Sequence, residues 1–158
     1  MNNKEISKDK EHPHFITIVS SARRKILLTG NIPTILIENL AFYRKLHDFK
    51  LIGFVIMPDH VHLIIYPQGH NAINTILHDY KSYTAQIINI ELKQKGSFWH
   101  KGFNDRLIRS HEELNNELRY IHNNPLKAGL VDNIEDYKFS SWQYYEDLIK
   151  DDLIDKQW

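Results

Sequence analysis

Only three residues, Met57-Pro58-Asp59, separate two runs that each read as a β-strand. The first is Leu51-Ile52-Gly53-Phe54-Val55-Ile56, apolar throughout, and the second runs from His60 to Tyr66. A parallel partner would need a crossover of a dozen or more residues, so a three-residue break leaves an antiparallel hairpin. Any fold for this chain has to be assembled around that hairpin.

Upstream, His14-Phe15-Ile16-Thr17-Ile18-Val19-Ser20 is rich in β-branched and aromatic residues and reads as a first strand. Ile32, Ile35, Leu36, Leu40, Tyr43 and Leu46 recur at helical spacing and predict a helix over about 32–48. Downstream, Ile73, Ile76, Leu77, Tyr80, Ile87 and Ile88 predict a long helix over about 71–94, stopped by Gly96. A fourth strand follows from Phe103 to Arg109, and Leu114, Leu118 and Ile121 mark a third helix. That helix is expected to stop near Asn124, because Pro125 disfavours helical geometry in the residue before it. An aromatic C-terminal element spans Tyr137 to Tyr145. The class is α+β, and the order β-α-β-β-α-β resembles the ferredoxin-like plan: an antiparallel sheet with helices on one face, and further C-terminal helices. The 158 residues suit a single domain: a tail over 1–12 expected to be disordered, a core over 13–131 and an acidic extension over 132–158.

Composition removes several chemistries. The chain has no cysteine, so thiolate nucleophiles, disulfides and Cys-ligated metal sites are excluded. Apolar runs such as Leu63-Ile64-Ile65-Tyr66 are far shorter than the ~20 residues a bilayer requires, and no apolar segment follows the polar N-terminus. The expectation is a soluble, cytoplasmic protein with no membrane partner.

His60-Val61-His62 is the sharpest local feature. On a strand, residues two apart share a face, so both imidazoles project together while Val61, Leu63 and Ile65 face the other side. Two imidazoles on one rigid strand can form a bidentate metal site that needs further ligands. A solvated strand face would carry the same pattern. A His-x-His-x-His nucleotide hydrolase is excluded by Ile64, and a His-Glu-x-x-His zinc protease by the lack of that motif. On the third helix, Tyr120 and Asn124 lie four residues apart on one face, outside the apolar stripe. The same pair would equally serve as a packing tyrosine and a helix-terminal asparagine.

Formal net charge is zero, with 20 basic and 20 acidic side chains, but the charges are segregated. Residues 131–158 carry eight acidic groups against Lys138, Lys150 and Lys156. Residues 81–109 carry six basic groups interleaved with Phe98, Trp99 and Phe103, and Arg23-Arg24-Lys25 forms a second cluster. Cations for phosphates beside aromatic rings for bases suit a single-stranded nucleic acid. A solvated helix end followed by a Phe-Trp core anchor would look alike.

Four blocks of sequence go further. Met57-Pro58-Asp59-His60-Val61-His62-Leu63-Ile64 is followed by Phe98-Trp99-His100-Lys101-Gly102-Phe103. Then come Tyr120-Ile121-His122-Asn123-Asn124-Pro125-Leu126-Lys127-Ala128-Gly129-Leu130-Val131 and Tyr137-Lys138-Phe139-Ser140-Ser141-Trp142. Together, in this order, they resemble the single-tyrosine HUH transposases, specifically the REP-associated branch. The resemblance spans about residues 14–145 and implies a ferredoxin-like core. It also implies that His60 and His62 ligate a divalent metal, Mg²⁺ or Mn²⁺, that Asn124 completes the site, and that Tyr120 is the nucleophile.

The implied reaction is cleavage and rejoining of hairpin-forming or palindromic single-stranded DNA through a 5′-phosphotyrosine. A domesticated or inactive binding module with the same fold is the alternative. Candidate DNA contacts are Arg23, Arg24, Lys95, Trp99, Lys101, Arg106, Arg109 and Lys127. Relatives include monomers and homodimers, and a DNA-acting role implies association with the nucleoid. The chain departs from its usually basic relatives in being neutral overall. Tyr80 and Tyr83 on the long helix are rival nucleophiles, ranked below Tyr120 because neither has a polar partner and a helix stop behind it.

Overall fold

The structure is a computed structural model that describes residues 11–158; residues 1–10, most of the tail expected to be disordered, lie outside the described residues. Four strands form one antiparallel sheet: β1 (His14–Val19), β2 (Phe49–Ile56), β3 (His60–Pro67) and β4 (Asn104–Leu107). Their order is β2-β3-β1-β4, the arrangement of a ferredoxin-like core. The hairpin closes with the Met57 N–H donating to the His60 carbonyl at 2.8 Å. Between Leu51 and Gly53 the β2–β3 register slips by one residue, a bulge that leaves Ile52 unpaired.

Alternation along the strands sorts their side chains onto two faces. Ile16, Ile18, Leu51, Phe54, Ile56, Val61, Leu63 and Ile65 point to one face and pack against helices α1 (Ile32–Leu46) and α2 (Ile73–Glu91). Pro33 sits in the first turn of α1, where its missing N–H costs nothing. The Tyr80 hydroxyl donates to the Leu36 carbonyl at 2.9 Å, tying α2 to α1 inside this core. Lys93, at a φ of 51°, turns the chain out of helical geometry just beyond α2, so the helix is shorter than its periodicity predicts.

The other face carries Phe15, Ile52, Val55 and Ile64 and is covered by one helix, α3 (His111–Lys127). Helices therefore flank both faces rather than one. Ser110 caps α3 by accepting the Glu113 N–H at 3.1 Å. The helix does not stop at Asn124; it runs through Pro125 to Lys127. Pro125 forfeits one helical hydrogen bond in the last turn but is buried, and the chain closes immediately afterwards. Gly129, at a φ of 75°, donates to the Leu126 carbonyl, while Leu130 donates to that of Pro125. These two bonds form a Schellman motif, which needs the left-handed conformation that glycine adopts readily.

Gly53 lets α3 seat closely on β2. A Cβ there would lie 2.7 Å from Leu118 Cδ2 and 2.9 Å from Ile121 Cδ1. His122 Nε2 lies 2.7 Å from Ser141 Oγ, which also accepts the Phe54 N–H at 3.0 Å, so α3, β2 and the C-terminal segment meet in one polar node. Burial pushes the His122 imidazole down to a pKa of about 4, which keeps it neutral there.

The C-terminal segment, with a short helix α4 (Trp142–Tyr145), runs along the outer edge of β2. Ile56 donates to the Phe139 carbonyl and Asp155 to that of Leu51, both at 2.9 Å. Asp155 also pairs with Arg44 through two bonds of 2.9 and 2.8 Å. The acidic extension thus shields a sheet edge that would otherwise expose unpaired backbone groups.

Candidate functional site

On the α3 face, cross-strand register lines up side chains from different parts of the chain. Val55 in β2, His62 in β3, Thr17 in β1 and Asn104 in β4 form one row; Gly53, Ile64, Phe15 and Arg106 form the next. Directly paired residues share a face, so both rows look toward α3.

His60 and His62 stand side by side, with ring centroids 4.7 Å apart. Each has its Nδ1 occupied by an oxygen. His60 Nδ1 lies 2.7 Å from Asp59 Oδ1, and His62 Nδ1 lies 2.8 Å from Thr17 Oγ1. Arg23 Nη1 donates to the other Asp59 oxygen at 3.2 Å. Burial alone would raise the Asp59 pKa, but hydrogen bonds and charge from His60 and Arg23 hold it below the usual carboxylate range. His62 is 7 % exposed, and burial, with a smaller contribution from the charge of His60, pushes its pKa down to about 3. It is therefore a neutral imidazole at physiological pH.

With each Nδ1 engaged, Nε2 is the nitrogen left to bind a metal, the usual arrangement around metal-binding histidines. The donor set fits a divalent cation with borderline ligand preference, Mn²⁺ better than Mg²⁺. Among the described residues no group of three His, Cys, Asp or Glu side chains could hold a metal ion. Two imidazoles thus leave room for an amide, a phosphate oxygen or water.

Tyr120 reaches this site from α3. Its ring is 5.7 Å from that of His62 and 6.1 Å from that of Phe15, and the residue is 48 % exposed. Phe15 also lies 5.1 Å from His62, so the three rings form a triangle in mutual contact. Asn124 is half-buried one helical turn beyond Tyr120, and its carboxamide makes no hydrogen bond to either imidazole among the described residues. The rivals sit elsewhere. Tyr80 is buried, and burial pushes its phenol pKa above the usual range. Tyr83 packs near Tyr43 on the opposite side of the sheet.

The eight candidate DNA contacts divide. The Arg106 guanidinium lies 5.3 Å from the Phe15 ring centroid and pairs with Glu117 of α3, while its side chain stays 63 % exposed. Arg23 is committed to Asp59 yet largely exposed. Arg24 reaches Gln94 and the Ser97 carbonyl at 3.4 and 3.5 Å. Lys95, Lys101, Arg109 and Lys127 are exposed. A cavity of about 220 Å³ adjoins the histidine row, lined by Thr17, Val19, Lys101, Gly102 and Asn104 among others.

Trp99 requires a correction. It is 7 % exposed and donates its Nε1–H to Thr84 Oγ1 at 3.0 Å inside the α1–α2 core. A base cannot stack on a ring already enclosed by protein, so Trp99 is a core anchor. Sequence reasoning also missed Thr17, Phe15 and Asp59. Only Asp59 gave a signal, by preceding His60; Thr17 and Phe15 are more than forty positions away and meet the histidines only through strand pairing.

Comparison with known proteins gives a consistent picture. Residues 7–124 match the family described as "Transposase IS200 like". The chain is 28 % identical over 158 residues to a Haemophilus influenzae protein assigned to the REP-associated tyrosine transposases, covering 92 % of this chain and 86 % of that one. It is 24 % identical over 129 residues to the REP-associated tyrosine transposase of Escherichia coli, covering 81 % and 74 % of the two chains. The solved structure of a REP-associated tyrosine transposase bound to a REP hairpin superposes with a TM-score of 0.74 at 21 % identity, covering 92 % of this chain and 89 % of that one. Among the described residues no helix is long and apolar enough to cross a membrane.

Proposed function

We propose, from the premise that this chain belongs to the IS200-like transposase family, that it cuts and rejoins hairpin-forming single-stranded DNA using Tyr120 as nucleophile. The observation that carries this reading is the approach of Tyr120 to within 5.7 Å of His62 on the half-open face. The similar transposase whose solved structure is bound to a REP hairpin supports the choice of substrate.

In the reaction, the Tyr120 oxygen forms a bond to the scissile phosphorus and the bond to the 3′ oxygen breaks. The 5′-phosphate stays on the enzyme as a phosphotyrosine, and the freed 3′-hydroxyl can reverse the step or join another end. His60 and His62 would hold a divalent cation through Nε2, with Asn124 as a further ligand. When bound, that cation polarises the phosphate and offsets its developing charge. Phe15 and the seating of Leu118 and Ile121 on Gly53 fix where the phenol stands. Arg106, Lys101 and Arg109 offer cations to the strand, with Arg23, Arg24, Lys95 and Lys127 as further contacts. Within the acidic extension, Asp155 is tied to β2 and to Arg44, at the edge of the sheet opposite β4.

The test is incubation with labelled hairpin DNA and Mn²⁺, followed by a denaturing gel. A covalent adduct that forms in wild type and vanishes in Tyr120→Phe, with hairpin binding retained, supports the reading. Binding without any adduct in wild type would identify a binding module instead.

A further inference from the structure

We propose, resting on the metal-dependent reading above, that Thr17 is a positioning residue for His62, accepting its Nδ1–H and so leaving the Nε2 lone pair for a divalent cation. Thr17 stands directly opposite His62 in the β1–β3 register, with Oγ1 2.8 Å from Nδ1. It is half-buried and β-branched, so its χ1 is stiff and the hydroxyl oxygen is held in place.

The two histidines differ in what holds them. Asp59 is a carboxylate that already accepts from Arg23, and a carboxylate oxygen accepts, so His60 Nδ1 is the donor in its pair. A hydroxyl can donate or accept. For His62, Thr17 is the single side-chain hydrogen-bond partner among the described residues, and the rings of Phe15 and Tyr120 close around the imidazole. If Thr17 donated instead, Nε2 would carry the proton and have no lone pair to bind a cation. The direction of this one hydrogen bond therefore decides whether β3 offers one ligand or two.

The test uses full-length protein without DNA. Long-range ¹H–¹⁵N correlation spectra report which ring nitrogen of His62 is protonated, and the free-Mn²⁺ electron paramagnetic resonance signal reports cation binding. Wild type, Thr17→Val and Thr17→Ser are compared, with melting temperatures recorded for all three. The expected result is an Nδ1-protonated His62 in wild type and Mn²⁺ affinity about 10-fold or more weaker in Thr17→Val at similar melting temperature. Thr17→Ser, which keeps the hydroxyl, should recover most of the affinity. An Nε2-protonated His62 in wild type overturns the inference, and does so even if Thr17→Val fails to fold. Equal Mn²⁺ affinity in wild type and Thr17→Val overturns it while sparing the metal-dependent reading. Absence of Mn²⁺ binding by wild type overturns that reading and this inference with it.

Discussion

The two faces of the sheet use the same strands for opposite ends. On the α1–α2 face, Ile16, Ile18, Phe54, Val61, Leu63 and Ile65 are almost wholly enclosed, and the polar groups that enter, such as the Tyr80 hydroxyl, are satisfied internally. On the α3 face, Ile64, Val55 and Ile52 are as deeply buried, yet the same face carries His60, His62 and Thr17 beside a half-exposed tyrosine. Two helices close one face; a single helix covers part of the other and leaves the histidine end open. A strand's alternation thus separates core from candidate site by one residue: Val61 is core, while His60 and His62 face the open end.

If that division holds, substitutions on the open face should remove activity and spare stability. Tyr120→Phe deletes one oxygen from a half-exposed ring, so strand cleavage should fall by on the order of 10³-fold or more with almost no change in melting temperature. A parallel thermal melt and adduct gel would measure both, and a large stability loss would break the comparison. The opposite pattern is expected from Phe54→Ala on the closed face. That substitution should cost about 3–5 kcal/mol in urea unfolding, because it opens a cavity in a fully buried core.

Gly53→Ala probes where the faces meet. The added methyl would crowd the buried ends of Leu118 and Ile121, costing about 1–3 kcal/mol. Hydrogen exchange should quicken in α3 far more than in α1 or α2, and cleavage should fall further than global stability predicts. Uniform quickening across all three helices would mean that the two faces unfold as one unit. The smallest effect is expected from Arg106→Ala. Its guanidinium is mostly exposed, so stability should change by less than about 1 kcal/mol. Affinity for single-stranded DNA should drop a few-fold, and the slope of log affinity against log salt should flatten by about 1, as for one lost phosphate contact. An unchanged slope would reduce Arg106 to a brace between Phe15 and Glu117.

Local pattern carried much of this. The hairpin, the strand–helix order and the shared face of His60 and His62 follow from periods of 2 and 3.6 residues, which are properties of the backbone alone. Where short-range rules met tertiary packing, packing prevailed. Pro125 does not end its helix, because a buried ring and the Gly129 closure outweigh one missing hydrogen bond. Trp99, flanked in sequence by cations, lies in the core because Thr84 offers its indole N–H a buried partner.

By itself, then, the sequence determined which residue types stand on which side of each element, and so that two imidazoles project together and a tyrosine lies off an apolar stripe. Only the tertiary structure decided what they meet. Thr17 against His62, Phe15 beside His62 and Arg106 over Phe15 arise from strand pairing across 45 to 91 positions of chain, and Tyr120 joins them through the packing of α3 on the sheet. The physical reason is that side-chain direction is set within a few residues, whereas neighbours across a sheet are set by register, fixed only when both faces have found their cover.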